Sequence, residues 1–287
     1  MLKKGQAIAK WLQWSLLMLL LLPVNGFAGP FNSVVVFGDS LSDNGSLLPV
    51  GAKPEPDPRF YYQGRWSNGP VWVEYLNDPQ RLDSALFDLA LSGAKTDGLV
   101  PPGLIEQVTV FIASEELTIW TNTLFIIWIG ANDFLNGVGD YQASIANFEE
   151  GMQQLIDAGA RHLLLMNLPD LGAIPDTLGT PEETPASEFT ANFNGALADL
   201  IDRFSAEQPQ VSFYEFDVAA LFVEVRSDPA AYGLVNVTDP SPNFAVPDNF
   251  NGADHLFWDE THPTTQMHAL LADQVYADLQ TQVPDLN

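Results

Sequence analysis

The chain has 287 residues, 46% of them hydrophobic, which is enough for one sizeable α/β core. Eleven Lys and Arg stand against 37 Asp and Glu, a formal charge of −26 that disfavours nucleic acid and anionic membranes and suits neutral, zwitterionic or cationic partners; solubility in a salty medium would explain the same balance. There is no cysteine, so disulfides, thiolate nucleophiles and cysteine metal sites are excluded.

The first segment reads as a targeting signal. Lys3, Lys4 and Lys10 form a basic head, and 11–22 is an apolar run broken only by Gln13 and Ser15. Pro23 and Asn25 interrupt it before Gly26-Phe27-Ala28, which offers small residues where a signal peptidase reads. The run falls short of the roughly 20 apolar residues that span a bilayer. We therefore expect a cleaved secretory signal over 1–28 and a mature chain from Gly29. The remainder, 29–287, shows no linker and no repeat and reads as a single domain.

Five short, largely apolar runs bounded by turn residues predict buried strands: 33–37, 85–91, 123–129, 161–167 and 211–216. Helical spacing lies between and after them at 104–113, 141–158, 185–204 and 264–279. This alternation predicts a parallel sheet covered on both faces, with right-handed crossovers and ligands beyond the carboxyl ends of the strands. Two long stretches, 48–70 and 227–258, read as irregular; Phe60, Tyr61, Tyr62 and Trp66 make the first a candidate wall for a substrate pocket.

Chemistry-bearing residues recur at the strand ends. After the first strand comes Phe37-Gly38-Asp39-Ser40-Leu41, where Ser40 is expected to enter a helix and, taken alone, reads as its cap. After the second comes Ser92-Gly93-Ala94, where Gly93 could turn its N–H to a ligand unobstructed. After the third comes Gly130-Ala131-Asn132-Asp133; the Asn132 amide could donate to an oxyanion, or simply make an Asx turn. Near the C-terminus, Asp259 and His262 stand three apart in a turn, so the carboxylate could hold the imidazole tautomer that leaves Nε2 free as base. The other histidines have poorer company: His162 opens a strand, His268 lies in a helix, and His255 follows Asp254 directly, an arrangement that points neighbours apart. Together the segments supply a nucleophile, a base, an orienting acid and two oxyanion donors, the set that acyl transfer needs. No G-x-S-x-G, P-loop, H-E-x-x-H or G-x-G-x-x-G occurs.

In this company Gly38-Asp39-Ser40-Leu41, Gly130-Ala131-Asn132-Asp133 and Asp259-Glu260-Thr261-His262 resemble the blocks of the GDSL, or SGNH, hydrolases. Gly64-Arg65-Trp66-Ser67-Asn68-Gly69-Pro70, Asn167-Leu168-Pro169-Asp170 and Phe257-Trp258 are similar to the secreted branch that includes plant lipases and haemolysin-like phospholipases. The resemblance runs from about 34 to about 276. It implies a flavodoxin-like α/β/α sandwich with five central parallel strands. It also implies Ser40 as nucleophile, His262 as base, Asp259 as orienter, and an oxyanion hole from the N–H groups of Ser40 and Gly93 and the Asn132 amide. Two departures occur: Asp88 to Ala94 stands where the second block usually reads N-x-A-x-G-G-A, and Ser46 follows Asp43-Asn44-Gly45 where D-x-G-N is frequent. The resulting expectation is a secreted serine esterase or lipase working through an acyl-enzyme, needing no metal or cofactor. The alternatives are a phospholipase or acyltransferase on the same site, a carbohydrate deacetylase, or a secreted binding protein without catalysis.

Overall fold

The structure, a computed structural model, describes residues 30–45, 56–114, 122–137, 139–252, 254–284 and 286. The expected signal over 1–28 lies outside these residues. Five parallel strands form one sheet: β1 (Ser33–Gly38), β2 (Ala85–Asp88), β3 (Thr123–Trp128), β4 (His162–Met166) and β5 (Ser212–Phe216), in the order β2-β1-β3-β4-β5. The expected second strand stops at Asp88 because the Asp88 carboxylate takes the Ala90 N–H at 3.0 Å and bends the chain out of extended geometry.

Among the described residues seven α-helices cover the sheet: α1 (Trp72–Leu76), α2 (Leu104–Ala113), α3 (Ala131–Leu135), α4 (Tyr141–Ala158), α5 (Glu183–Glu207), α6 (Val218–Ser227) and α7 (Thr265–Gln282). The bounds expected for α2 and α4 match; α5 and α7 run a few residues longer. Helix α6 was not expected, although Val218, Leu221, Phe222 and Val225 keep helical spacing and Asp217 caps Ala220 N–H at 2.9 Å. Its Val and Phe content masks that period.

The two faces of the sheet bury alternate residues of the same strands. Val35, Phe37, Phe125, Ile127, Leu163 and Leu165 pack with Phe111 of α2, Phe148 of α4 and Phe193 of α5. Val34, Val36, Leu124, Ile126, Leu164 and Met166 pack with Trp72 of α1, Phe222 of α6 and Leu271 of α7. Every one of those strand side chains is burial-saturated, each contributing about 1.5–3 kcal/mol, which is why the strands are apolar throughout rather than alternating with polar residues.

The stretch 227–258 is more regular than expected. It holds 3-10 turns at Pro229–Tyr232 and Pro242–Ala245 and a small parallel pair, β6 (Asn236–Pro240) with β7 (His255–Phe257). Asn236 pairs with His255 and Pro240 with Phe257, so the ladder depends on distant partners rather than on any local period. Strand β1 lies between β2 and β3, and the chain crosses from its β2 side to its β3 side. That switch opens a crevice beyond the carboxyl ends of β1 and β3, where Ser40 and Asn132 lie.

Candidate active site

Gly38 ends β1 against its neighbour so closely that a Cβ there would lie 2.7 Å from the Trp128 carbonyl oxygen of β3. The buried Gln107 side chain clamps the same residue, accepting Gly38 N–H at 3.0 Å and donating to Gly38 O at 2.9 Å. Ser40 follows on a single turn, with Ser42 and Asp43 N–H bonded to Asp39 O, and not on the helix the sequence suggested. The chain is drawn aside instead: Asp43 Oδ2 accepts the Ser92 N–H at 2.8 Å and hydroxyl at 2.7 Å, and Asp88 Oδ2 accepts Asn44 N–H at 2.9 Å. Asp88 and Ser92, where the second block departs from the usual pattern, are thus each bonded to the 43–44 turn, while the other departure, Ser46, lies outside the described residues.

Ser40 is 9% exposed, on a cavity of about 180 Å³ whose apolar lining includes Trp128, Leu135, Ile174, Phe222 and Phe257. His262 Nε2 lies 2.9 Å from Ser40 Oγ. His262 Nδ1 lies 2.8 Å from Asp259 Oδ2, so the carboxylate accepts Nδ1–H and Nε2 is left to accept from the serine hydroxyl. Asp259 Oδ1 takes the N–H groups of Thr261 at 2.7 Å and His262 at 2.6 Å, a compact turn that the 259–262 spacing allows. Burial opposes ionisation of Asp259, but the charge of His262 and the hydrogen bonds from His262 and Tyr61 outweigh it and hold the carboxyl below its ordinary range. Burial pushes the neighbouring Asp39 carboxyl up to about 7, despite the Leu41 N–H it accepts.

Helix α3 carries Asn132. Gly130 enters it at φ +125°, a conformation that favours glycine. Asn132 Nδ2 donates to Ala94 O at 3.1 Å and its Oδ1 accepts from Asn136 at 3.0 Å, which fixes the amide on the cavity wall, where it also hydrogen-bonds the Asp39 carboxyl. Gly93, at φ +77°, is the residue before that Ala94 anchor. Asp133 is buried and accepts Thr96 N–H at 3.0 Å, the Thr96 hydroxyl at 2.5 Å and the Ser144 hydroxyl at 2.9 Å, tying the Gly93 turn to α3 and α4. Burial raises its carboxyl above the usual range even so.

The aromatic stretch before α1 does not line the cavity beside Ser40, contrary to expectation. It clasps the turn that carries His262. Ser67 Oγ donates to Pro263 O at 2.9 Å, Asn68 Oδ1 accepts Thr265 N–H at 2.8 Å, and a Cβ at Gly69 would lie 2.6 Å from Thr265 Oγ1. Trp66 packs its ring 5.1 Å from the His262 ring, and Tyr61 donates to Asp259 Oδ2 at 2.6 Å. Tyr61 was missed as a partner of Asp259 because no spacing rule links residues 198 apart. Of the other histidines, His162 meets the Tyr214 hydroxyl at 3.0 Å and the buried His268 accepts Trp72 N–H at 3.3 Å. His255 Nδ1 lies 2.7 Å from Asp254 Oδ1, so these sequence neighbours do pair, on the turn that His255 N–H closes onto Gly252 O at 3.1 Å.

Comparison with known proteins agrees with this arrangement. The family model for GDSL-like lipases and acylhydrolases matches residues 34–275. Over 272 residues the chain is 29% identical to the thermolabile hemolysin of Vibrio parahaemolyticus, covering 85% of this chain and 63%, less than two thirds, of that protein. It is 27% identical over 311 residues to the phosphatidylcholine-sterol acyltransferase of Aeromonas hydrophila, covering 88% of this chain and 91% of the relative. Among solved structures, an acetylxylan esterase from Geobacillus stearothermophilus aligns with a TM-score of 0.52 at 16% identity, over 88% of this chain and 96% of that one, a likeness of fold.

Proposed function

The chain belongs to the GDSL-like lipase/acylhydrolase family, a carboxylic ester hydrolase, and on that premise we propose that it acts through an acyl-enzyme on Ser40. The observation that carries this reading is the Ser40–His262–Asp259 relay, 2.9 Å and 2.8 Å between successive partners. His262 Nε2 removes the hydroxyl proton as Ser40 Oγ bonds to the ester carbon. The charge that develops on the carbonyl oxygen is met by the side-chain amide of Asn132 and by the N–H groups of Ser40 and Gly93. The imidazolium returns its proton to the leaving alcohol as the C–O bond breaks. A water then loses a proton to Nε2, attacks the acyl carbon and releases the acid, restoring Ser40. Asp259 holds the imidazole tautomer throughout.

The apolar cavity lining favours an uncharged acyl group, and the net charge of −26 favours neutral esters. The test is fluorophosphonate labelling of wild type and Ser40→Ala alongside p-nitrophenyl ester turnover. Labelling should disappear and kcat fall by about 10⁴ to 10⁶ in Ser40→Ala. A mutant that keeps most of its turnover removes Ser40 from the mechanism.

A second reading, transfer of the acyl group to an alcohol, draws support from the full-length similarity to a protein named as an acyltransferase. Formation of a new ester when a sterol or long-chain alcohol is added would separate it from hydrolysis. Deacetylation of sugars would show instead as turnover of acetyl esters and none of longer ones. The non-catalytic alternative is set aside by family membership. We further propose that 1–28 is a cleaved secretory signal and that 29–287 forms one catalytic domain. Among the described residues no helix is long and apolar enough to cross a membrane.

A further inference from the structure

We infer that Tyr61 is a positioning residue of the acid–base pair, donating to the same Asp259 oxygen that receives the proton side of His262. Its hydroxyl lies 2.6 Å from Asp259 Oδ2, and His262 Nδ1 lies 2.8 Å from that atom. The other carboxylate oxygen is occupied by the N–H groups of Thr261 and His262. Each oxygen therefore takes two donors, and three of the four belong to the 259–262 turn. Tyr61 alone comes from elsewhere in the chain.

Its ring is built in for that purpose. Tyr61 is buried, with the Trp66 ring 5.0 Å away on one side and Phe244 5.4 Å away on another. Trp66 in turn packs on the His262 ring, so one aromatic cluster grips both members of the pair. Burial, and next the negative charge of Asp259, raise the phenol above its ordinary range, so it stays a donor at every working pH.

Sharing Oδ2 has a chemical consequence. A carboxylate oxygen with a second donor draws less strongly on the Nδ1 proton while still orienting the imidazole. Without the phenol, Oδ2 becomes more basic, the imidazolium is favoured, and less free base faces Ser40. Besides Tyr61, the charged and titratable groups facing the pair are Ser40 and Asp39 from the end of β1, Glu260 from the same turn and His268 from α7. Tyr61→Phe alters none of them and keeps the ring in its cluster.

The role as stated rests on the ester-hydrolysis reading, but its test includes a measurement that needs no turnover. In Tyr61→Phe, kcat measured at a pH on the acid limb should fall about tenfold, the loss of free imidazole that a shift of about one pH unit produces there, with KM nearly unchanged. The acid limb of kcat/KM, and the His262 imidazole titration followed by NMR, should both move up by about one pH unit. A merely structural role would lower Tm and leave both titrations in place, and that result overturns the inference whatever happens to kcat. Should Tyr61→Phe not fold, a fluorinated tyrosine at position 61, a stronger donor of the same shape, should move the imidazole titration downward; no movement overturns the inference. Failure of the wild type to turn over any ester would sink the ester-hydrolysis reading, while the NMR titration would still decide whether Tyr61 sets the basicity of the pair.

Discussion

Replacing Asp259 with asparagine should inactivate the site without dislodging it. Asparagine offers one acceptor where aspartate offers two. The N–H groups of Thr261 and His262, at 2.7 and 2.6 Å, will claim the amide oxygen at the Oδ1 position. The NH₂ group is then left facing His262 Nδ1 and the Tyr61 hydroxyl, both of which now donate to Oδ2. Nδ1 must become an acceptor, the imidazole proton moves to Nε2, and Ser40 meets an N–H instead of a base. Restoring the working tautomer costs about 1–2 kcal/mol for the misdirected hydrogen bonds. The lost attraction between carboxylate and imidazolium, taken at 4 Å and an effective dielectric near 20, adds about 4 kcal/mol. A barrier higher by about 5 kcal/mol corresponds to kcat lower by roughly 10³- to 10⁴-fold. The assay is initial-rate hydrolysis of p-nitrophenyl butyrate across substrate concentration, with Tm as the folding control. KM should hold nearly steady. A variant that folds and keeps more than about a tenth of wild-type kcat would refute the tautomer argument, since that is less than 1.4 kcal/mol of barrier.

Asn132→Ala should lower kcat by about 10² to 10³ as one oxyanion donor is lost, and a rise in KM with kcat intact would instead make Asn132 a ground-state contact. Gly130→Ala should lower stability by at least about 2 kcal/mol, because the backbone there is left-handed and the new Cβ would lie 2.7 Å from Phe193 Cζ; denaturant unfolding measures this, and the displaced Asn132 should lower kcat as well. His268→Asn should flatten the acid side of the stability curve. Burial, with the charge of His262 adding to it, lowers the His268 imidazole from 6.5 to about 3, so below pH 6.5 the unfolded chain binds a proton that the folded chain refuses. That stability is lost progressively as pH falls toward 3, amounting to about 3 kcal/mol by pH 4. Asp39 acts oppositely, its carboxyl being raised to about 7, so the comparison of Tm against pH is between the variant and wild type rather than along one curve. Parallel curves would mean that His268 protonates in the folded protein as readily as outside it.

What the sequence by itself determined are the features whose physics is local. A strand buried on both faces must be apolar along its length, so β1, β3 and β4 stand out within a residue or two of their ends, the edge strand β5 shows as a short aromatic run, and α2 and α4 follow from a period of 3.6. The turn from Asp259 to His262 is legible too, because three residues suffice to bring a carboxylate onto the imidazole and onto the backbone N–H groups between them. Strand-end placement also marked Ser40 and Asn132, since a parallel sheet presents its loops at one rim. Only the tertiary structure decided what depends on distant chain segments. It replaced the helix after Ser40 with a single turn, because Asp43 and Asn44 bond to Ser92 and Asp88 instead of continuing a helical ladder. It moved the aromatic stretch from the cavity wall to the back of the His262 turn, where Ser67 and Asn68 hold Pro263 and Thr265. It drew the cavity lining from α6 and the β7 turn, and it paired β6 with β7. It also set Tyr61 against Asp259 across 198 residues, and Ser40 against His262 across 222. Local pattern dictates which face a residue presents, but which faces meet is settled by the packing of the whole sheet and its helices, and no short-range period encodes that.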